Sequence, residues 1–211
     1  MFQNPYNGDA MKKNAFIVFE GGEKVGKTTQ LRHVKSYLEE RGYSVVLTHE
    51  PGGGDSDIRK KLLDKKGIVT PEEELDLFCH DRALHIENII KPALEKGKAV
   101  LCDRFEPSTI AYQGYGRGMD IAYIREKSKQ VRQNIWPDMI LLLDADPNIV
   151  LTREEATSRF DAEKIDFHQR VRQGFLAQVE EDPTCWRIID ATKSIDEVWQ
   201  DIQIHIEQSL S

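Results

Sequence analysis

The sequence predicts an α/β fold: a doubly wound, five-stranded parallel sheet with helices on both faces. Three observations carry this expectation. Five short apolar runs stand out, Ala15–Glu20, Ser44–His49, Ala99–Asp103, Met139–Asp144 and Trp186–Asp190, and helical patterns lie between them. Runs such as Met139–Leu143 lack in/out alternation, as expected for strands buried on both faces of a parallel sheet. A glycine-rich motif occupies the first strand-to-helix junction, at the carboxyl end of a strand, where open α/β sheets hold their ligands. A chain of 211 residues suits one such domain with a substantial core, although length alone would allow two small ones.

That motif follows the first run directly. Gly21, Gly26, Lys27 and Thr28 meet the G-x-x-x-x-G-K-[ST] spacing, with Gly22, Glu23, Lys24, Val25 and Thr29 completing the loop. Glycines let the backbone form a concave nest of N–H donors for phosphate oxygens, and the following helix adds the positive end of its dipole. Lys27 is placed to reach the β and γ phosphates, and Thr28 to offer a hydroxyl to Mg²⁺. The first helix spans Thr28–Glu40 and stops at Arg41-Gly42. After the second run, Thr48–Gly53 reads as a turn because of its proline and glycines. A long helix is expected from Pro71 to Lys96, with proline at its start and Gly97 at its end. A short helical segment covers Ser108–Gly114, and further helices cover Ile121–Gln133, Pro147–Arg153, Lys164–Glu181 and Ser194–Gln208. Each predicted strand ends in a residue capable of chemistry: Glu20, His49, Asp103, Asp144 and Asp190.

Composition excludes several classes. A net charge of −7 argues against a nucleic-acid-binding surface, which needs a basic footprint. Cys79, Cys102 and Cys185 are odd in number and widely spaced, which predicts free thiols in a reducing cytosol. No apolar run approaches the roughly 20 residues of a membrane span. The polar start lacks a secretory signal, and residues 1–13 read as a flexible extension in which Met11 could be the natural start. The expectation is a soluble, cytoplasmic protein.

Three constellations follow the phosphate loop. Phe78 and Arg82 are four apart on the long helix and share a face; together they could stack on a base and bond its exocyclic oxygen. Spacing alone favours the plainer reading, with Phe78 in the core and Arg82 solvated. Asp103-Arg104 at the end of a buried strand is different, because charges there seldom serve packing. A guanidinium at that point can grip a phosphate in bidentate fashion, and the carboxylate can orient it or hold a Mg²⁺-bound water. Residues 153–161, polar and carrying Arg153 and Arg159, form either a mobile lid or a solvated connection.

Taken together the segments resemble the thymidylate kinases, from about Ala15 to the C-terminus. The marks appear in order: Glu20–Thr29, Glu50-Pro51-Gly52-Gly53, Leu75–Arg82 continuing into Ala83–His85, and Asp103-Arg104-Phe105. Ser108–Gly114, Gly116-Arg117-Gly118, Trp136-Pro137-Asp138 and Leu143–Pro147 complete the set. The resemblance implies the fold of P-loop NTPases of the nucleoside monophosphate kinase type, over a single domain from residue 14 to 211 with a lid at about 151–164. It implies transfer of phosphate from ATP, with Mg²⁺, to dTMP, and a homodimer. By resemblance Phe78 stacks on thymine, Arg82 bonds its O4, and Pro51, Ser108, Thr109 and Gln113 line the base pocket. Tyr112 covers the sugar 2′ position and favours deoxy substrates, and Glu23 faces the acceptor's 3′-hydroxyl region. Arg104 holds the acceptor phosphate, with Asp103 organising it and the Mg²⁺ shell, and Arg153 and Arg159 close over ATP. His49 departs from the arginine that many bacterial members carry before E-P-G-G. Lys24-Val25 departs from Gly-Ala, and members with a basic residue at Lys24 tend to have lids poor in arginine. Lys24 is therefore expected to stabilise transferring charge.

Two other classes stay open. One is a kinase of another nucleoside monophosphate or of a deoxynucleoside. The other is a non-catalytic nucleotide-binding protein, either a GTPase-type switch or an inactive relative. A guanine-reading [NT]-K-x-D is missing, since Thr192–Asp196 has one residue too many.

Overall fold

The computed structural model describes residues 14–64, 70–152, 158, 160 and 162–210. The expected extension over 1–13, the lid residues Arg153 and Arg159, and Asp161 lie outside the described residues.

The strands β1 (Phe16–Glu20), β2 (Val45–His49), β3 (Ala99–Asp103), β4 (Met139–Asp144) and β5 (Trp186–Asp190) form one parallel sheet in the order β2-β3-β1-β4-β5. The three central strands are buried almost throughout, whereas β2 and β5 at the edges are partly exposed. Side chains alternate between two cores. Ile17, Phe19, Leu101, Leu141 and Leu143 pack with Leu31, Val34 and Leu38 of α1 (Lys27–Glu40) and with Val198, Ile202 and Ile206 of α9 (Ile195–Leu210). Phe16, Val18, Val100, Cys102, Ile140 and Leu142 face the opposite core, which Phe105, Tyr112, Phe167, Val171 and Phe175 help to fill. Helices thus cover both faces, as the unbroken apolar runs require.

Between β2 and β3 the chain departs from the expected single long helix. Residues 54–64 contain α2 (Ser56–Leu63), a helix that the sequence pattern did not predict. Asp55 caps it by accepting from the Asp57 N–H at 2.8 Å, and Ile58 and Leu62, one turn apart, are buried. Then α3 (Pro71–His85) runs into a π-helical turn, Ile86–Ile90, before α4 (Lys91–Glu95). The turn has a local cause. Pro92 has no N–H for the Asn88 carbonyl and its ring would clash there, and the Lys91 N–H instead reaches back five residues to Ile86.

The β3–β4 crossover begins with a short α5 (Glu106–Thr109), continues as a π-helical run (Ile110–Gly116) and ends with α6 (Ile121–Arg132). After β4 come α7 (Pro147–Val150), shorter than the expected Pro147–Arg153, and α8 (Ile165–Glu181), which packs on the 110–116 run. Strand ends and helix starts gather at the carboxyl edge of the sheet, and β1 there lies between β3 and β4, where the connections diverge.

Thr70 and Glu73 form a reciprocal cap at the start of α3: the Thr70 hydroxyl accepts from Glu73 N–H at 3.2 Å, and the Glu73 carboxylate accepts from Thr70 N–H at 3.0 Å. We expect Thr70→Ala to cost about 1 kcal/mol, read as a fall of about 2–4 °C in Tm. An unchanged Tm would show that the cap does not stabilise the domain.

Candidate active site

The loop after β1 has its shape because two positions leave no alternative to glycine. Gly21 adopts φ +138°, and a Cβ there would lie 2.4 Å from the Leu143 carbonyl oxygen of β4. Gly26, at φ +88°, then turns the chain into α1. Lys27, nearly buried, donates from Nζ to the carbonyls of Gly22 at 2.7 Å and Gly21 at 3.2 Å. Burial lowers its ammonium below the usual lysine range, Arg104 adds to this, and Asp103, Glu23 and Glu20 oppose it.

Beside the loop opens a cleft of about 640 Å³. Among the described residues, every side chain expected at the site except those of the loop's first two glycines lines it: Glu23 to Thr29, Pro51, Phe78, Arg82, Asp103, Arg104, Ser108, Thr109, Tyr112 and Gln113. Gly21 and Gly22 lie beneath the loop against β4.

At the end of β3, Arg104 stands at φ +72°, a left-handed conformation that costs a non-glycine residue energy and recurs at functional sites. Its guanidinium donates to the Gly21 carbonyl at 2.9 Å, the Ser108 hydroxyl at 3.2 Å and Glu23 at 2.9 Å, and lies 4.9 Å from the Tyr112 ring centroid. The Tyr112 hydroxyl donates to the same Glu23 oxygen at 2.7 Å, and burial pushes its phenol well above the usual range, so it remains a neutral donor. The neighbouring Asp103 has one oxygen 3.5 Å from the Thr28 hydroxyl; the other is buried and has no hydrogen-bond partner among the described residues. A hydroxyl beside an unpartnered carboxylate oxygen suits Mg²⁺, which takes one or two protein oxygens and keeps waters and phosphate for the rest.

The far end of the cleft overturns the plainer reading of α3. Arg82 is not solvated but 1 % exposed. It donates from Nε to Glu50 Oε2 at 2.9 Å, with Nη2 in ion-pair contact with the same oxygen at 2.8 Å, and from Nη2 to the Thr109 hydroxyl at 2.9 Å, leaving Nη1 buried and unpartnered among the described residues. Gln113 donates from Nε2 to Glu74 at 2.6 Å. With the amide nitrogen engaged there, Gln113 Oε1 is the atom left buried without a partner among the described residues. Two residues lining the same cleft thus carry, among the described residues, one unmet donor and one unmet acceptor, both buried.

Lys24, at φ +59°, donates to the Leu151 carbonyl at 3.0 Å, at the foot of the segment expected to form the lid. His49 turns onto its own loop, 3.0 Å from the Pro51 carbonyl. The cation the sequence reading missed is Arg59, which reaches the cleft from α2 and donates to Pro51 O at 2.6 Å. Its signal was the Asp55 cap with Ile58 and Leu62. Phe160 was missed too: it lines the cleft, edge-on to Tyr112 with ring centroids 5.8 Å apart. Of the five strand-terminal residues, His49 and Asp103 line the cleft, whereas Glu20, Asp144 and Asp190 do not. Asp144 takes a bidentate pair from Arg172 of α8, both contacts at 2.7 Å, and Asp190 caps the turn at Thr192.

Glu20 lies fully buried behind the cleft. One oxygen accepts the N–H groups of Phe105 and Ser108 at 2.9 and 3.3 Å, and the other accepts the Ser108 hydroxyl at 2.5 Å. Burial raises its carboxyl to about 7, against the opposing pull of Ser108, Arg104, the Phe105 N–H and Lys27. An acid with a raised folded-state value contributes stability that is complete below its unfolded value and lost as pH rises through the folded one. From about pH 4 to about pH 8 we expect a loss on the order of 3 kcal/mol from this group, absent in Glu20→Gln. Urea unfolding of both proteins across that range checks it, and parallel curves would show that Glu20 stays ionised.

Comparison with known proteins places this geometry. The family profile described as thymidylate kinase matches residues 19–202. The thymidylate kinase of Desulfovibrio desulfuricans is 44% identical over 196 residues, 87% of this chain and 90% of that protein. That of Nitratidesulfovibrio vulgaris is 42% identical over 209 residues, 93% of this chain and 97% of that one. The crystal structure of thymidylate kinase from Ehrlichia chaffeensis superposes with a TM-score of 0.76 at 35% identity, covering 92% of this chain and 97% of that chain. With the phosphate loop, the strained Arg104 and the buried Arg82 on one cleft, and this likeness along nearly its whole length, the chain belongs to the thymidylate kinase family.

Proposed function

We propose that this chain is a thymidylate kinase in activity as well as in family: it transfers the γ-phosphoryl group of ATP to the 5′-phosphate of dTMP, giving ADP and dTDP. The observation that carries the reading is that Arg82 and Gln113, both lining the cleft that the phosphate loop borders, hold a buried donor (Nη1) and a buried acceptor (Oε1) with no partner among the described residues. Thymine offers the complement, an O4 acceptor beside an N3–H donor. A buried polar atom is costly to leave unmet, so the pocket gains most from a base that meets both. Phe78 lines the same cleft and supplies a ring face for stacking. By the family resemblance Tyr112, held by its bond to Glu23, covers the sugar 2′ position, and Glu23 faces the 3′-hydroxyl region.

The acceptor phosphate is itself the nucleophile and is ionised at neutral pH, so no strong general base is required. The obstacle is repulsion between two anions brought into line. Arg104 is placed to hold the acceptor phosphate, and Lys27 the phosphates of ATP, once each exchanges its carbonyl partners for phosphate oxygens. Lys24, next to both, adds charge when it leaves the Leu151 carbonyl. Thr28 and Asp103 would hold Mg²⁺, which when bound screens the charge on the ATP phosphates. The remaining roles follow the family resemblance: a single catalytic domain over 14–211, a lid at 151–164 carrying Arg153 and Arg159, and a homodimer. A cytoplasmic setting is supported by three buried free cysteines, and among the described residues no helix is long and apolar enough to cross a membrane.

Two experiments test this. In a steady-state screen with MgATP and dTMP, dUMP, UMP, dCMP or AMP, dTMP should give the highest kcat/KM. A protein that binds MgATP yet leaves dTMP unconverted would sink the proposal. Arg104→Ala should lower turnover by on the order of a hundredfold, about 3 kcal/mol, while circular dichroism stays native. Wild-type turnover in that folded variant would remove Arg104 from the mechanism.

A further inference from the structure

Along α3 the residues Phe78, Asp81, Arg82 and His85 recur at the spacing of one helix face. Arg82 and Phe78 serve the base pocket, and Asp81 fixes the preceding loop by accepting the N–H groups of Gly52, Gly54 and Asp55 at 2.7, 3.1 and 2.8 Å. His85 is the fourth member. It is fully buried, does not line the cleft, and has no part in the mechanism above.

Its surroundings define what it does. Nδ1 lies 3.1 Å from Glu50 Oε1, and Nε2 lies 2.7 Å from the Thr48 hydroxyl at the end of β2. Burial pushes the Glu50 carboxyl up, but Arg82 and the bond to His85 outweigh this and hold it below the usual range. Glu50 is therefore ionised and can only accept, so His85 Nδ1 carries a proton in either charge state of the ring. Thr48 can donate or accept, so it satisfies Nε2 in both cases. The other oxygen of Glu50 takes the Arg82 guanidinium. An unbroken chain of bonds thus runs from Thr48 through His85 and Glu50 to Arg82, which lines the cleft and whose buried Nη1 has no partner among the described residues.

Gly53 belongs to the same arrangement. A Cβ there would lie 2.5 Å from Cδ2 and 2.6 Å from Nε2 of the His85 ring, and 2.6 Å from the His49 carbonyl. The loop segment Glu50–Gly53 and the helix segment Asp81–His85, separate in sequence, are two halves of one packed contact. If Oε1 of Glu50 lost its donor it would be an unmet charge in the interior, and the carboxylate would turn to seek another partner. Arg82 is tied to that carboxylate, so its aim would change with it.

We propose that His85 is a positioning residue for recognition of the acceptor base: from Thr48 it orients Glu50, and through Glu50 it holds Arg82 toward the pyrimidine. The proposal rests on the reading of this cleft as the dTMP site. It calls for a selective effect, on the acceptor and not on ATP. His85→Leu should raise KM for dTMP about tenfold, the size of one lost charge-assisted bond, with kcat and KM for ATP within about twofold of wild type. His85→Asn, which keeps a donor near the Nδ1 position, should return KM for dTMP to within about threefold. Thr48→Val should raise it about threefold and provides the test should His85→Leu fail to fold. The ¹⁵N spectrum of the wild-type imidazoles should show Nδ1 of His85 protonated. An unchanged KM for dTMP in both folded variants, equal losses for dTMP and ATP, or an unprotonated Nδ1 would each overturn the proposal. Should wild-type protein fail to convert dTMP, the acceptor assignment falls, while the nitrogen spectrum still reports separately on the His85–Glu50 bond.

Discussion

A buried cation must be compensated before its ligand arrives, and this constraint organises the whole cleft. Desolvating a guanidinium or ammonium costs several kcal/mol unless other groups replace the lost water. Arg82 meets the cost with Glu50 and Thr109, and Arg104 with Glu23, Ser108 and the Gly21 carbonyl. Lys27 uses the carbonyls of its own loop. These partners also immobilise the cations, so under the proposed reaction the charges of Arg104 and Lys27 stand near the reacting phosphates beforehand. That is electrostatic preorganisation, the largest contribution available where little covalent work falls to the protein.

The carboxylates follow from the same constraint. Glu23 and Glu50 are counter-ions, and each ties its arginine to something else: Tyr112 for the first, His85 for the second. Glu20 differs because burial outweighs the pull of its hydrogen-bond donors and of Arg104 and Lys27, and its carboxyl rises to about 7. It anchors the turn from β3 into α5 through the Phe105 and Ser108 N–H groups, which keeps the strained Arg104 backbone next to the phosphate loop. The topology explains the meeting. Parallel pairing of β1 with β3 sets Phe19 beside Asp103, and the Arg104 N–H bonds the Phe19 carbonyl at 2.9 Å.

Much of this was legible in the chain. The five strands lie where the apolar runs put them, and the three central ones are apolar nearly throughout because both their faces are buried. The phosphate loop was legible from spacing, since a glycine at Gly21 or Gly26 answers a local backbone demand. Asp103-Arg104 stood out because two charges ending a buried strand have no packing use. The helix α2 was hidden by the turn-forming glycines in front of it. The π-helical turn before Pro92 follows from a proline whose effect on the preceding carbonyl could be foreseen in kind but not in form.

What the sequence alone determined was the order of elements, the nature of the phosphate loop and the family resemblance, because each rests on neighbours within a few residues or on a fixed periodicity. What only the tertiary structure decided was the state of individual side chains. Arg82 looks solvated on its helix until Glu50, 32 positions earlier, is brought against it. Asp144 and Asp190 end strands as Asp103 does, yet Arg172 occupies one and a turn the other. Burial and pairing depend on which distant segments share a space, and that is a property of the packed chain.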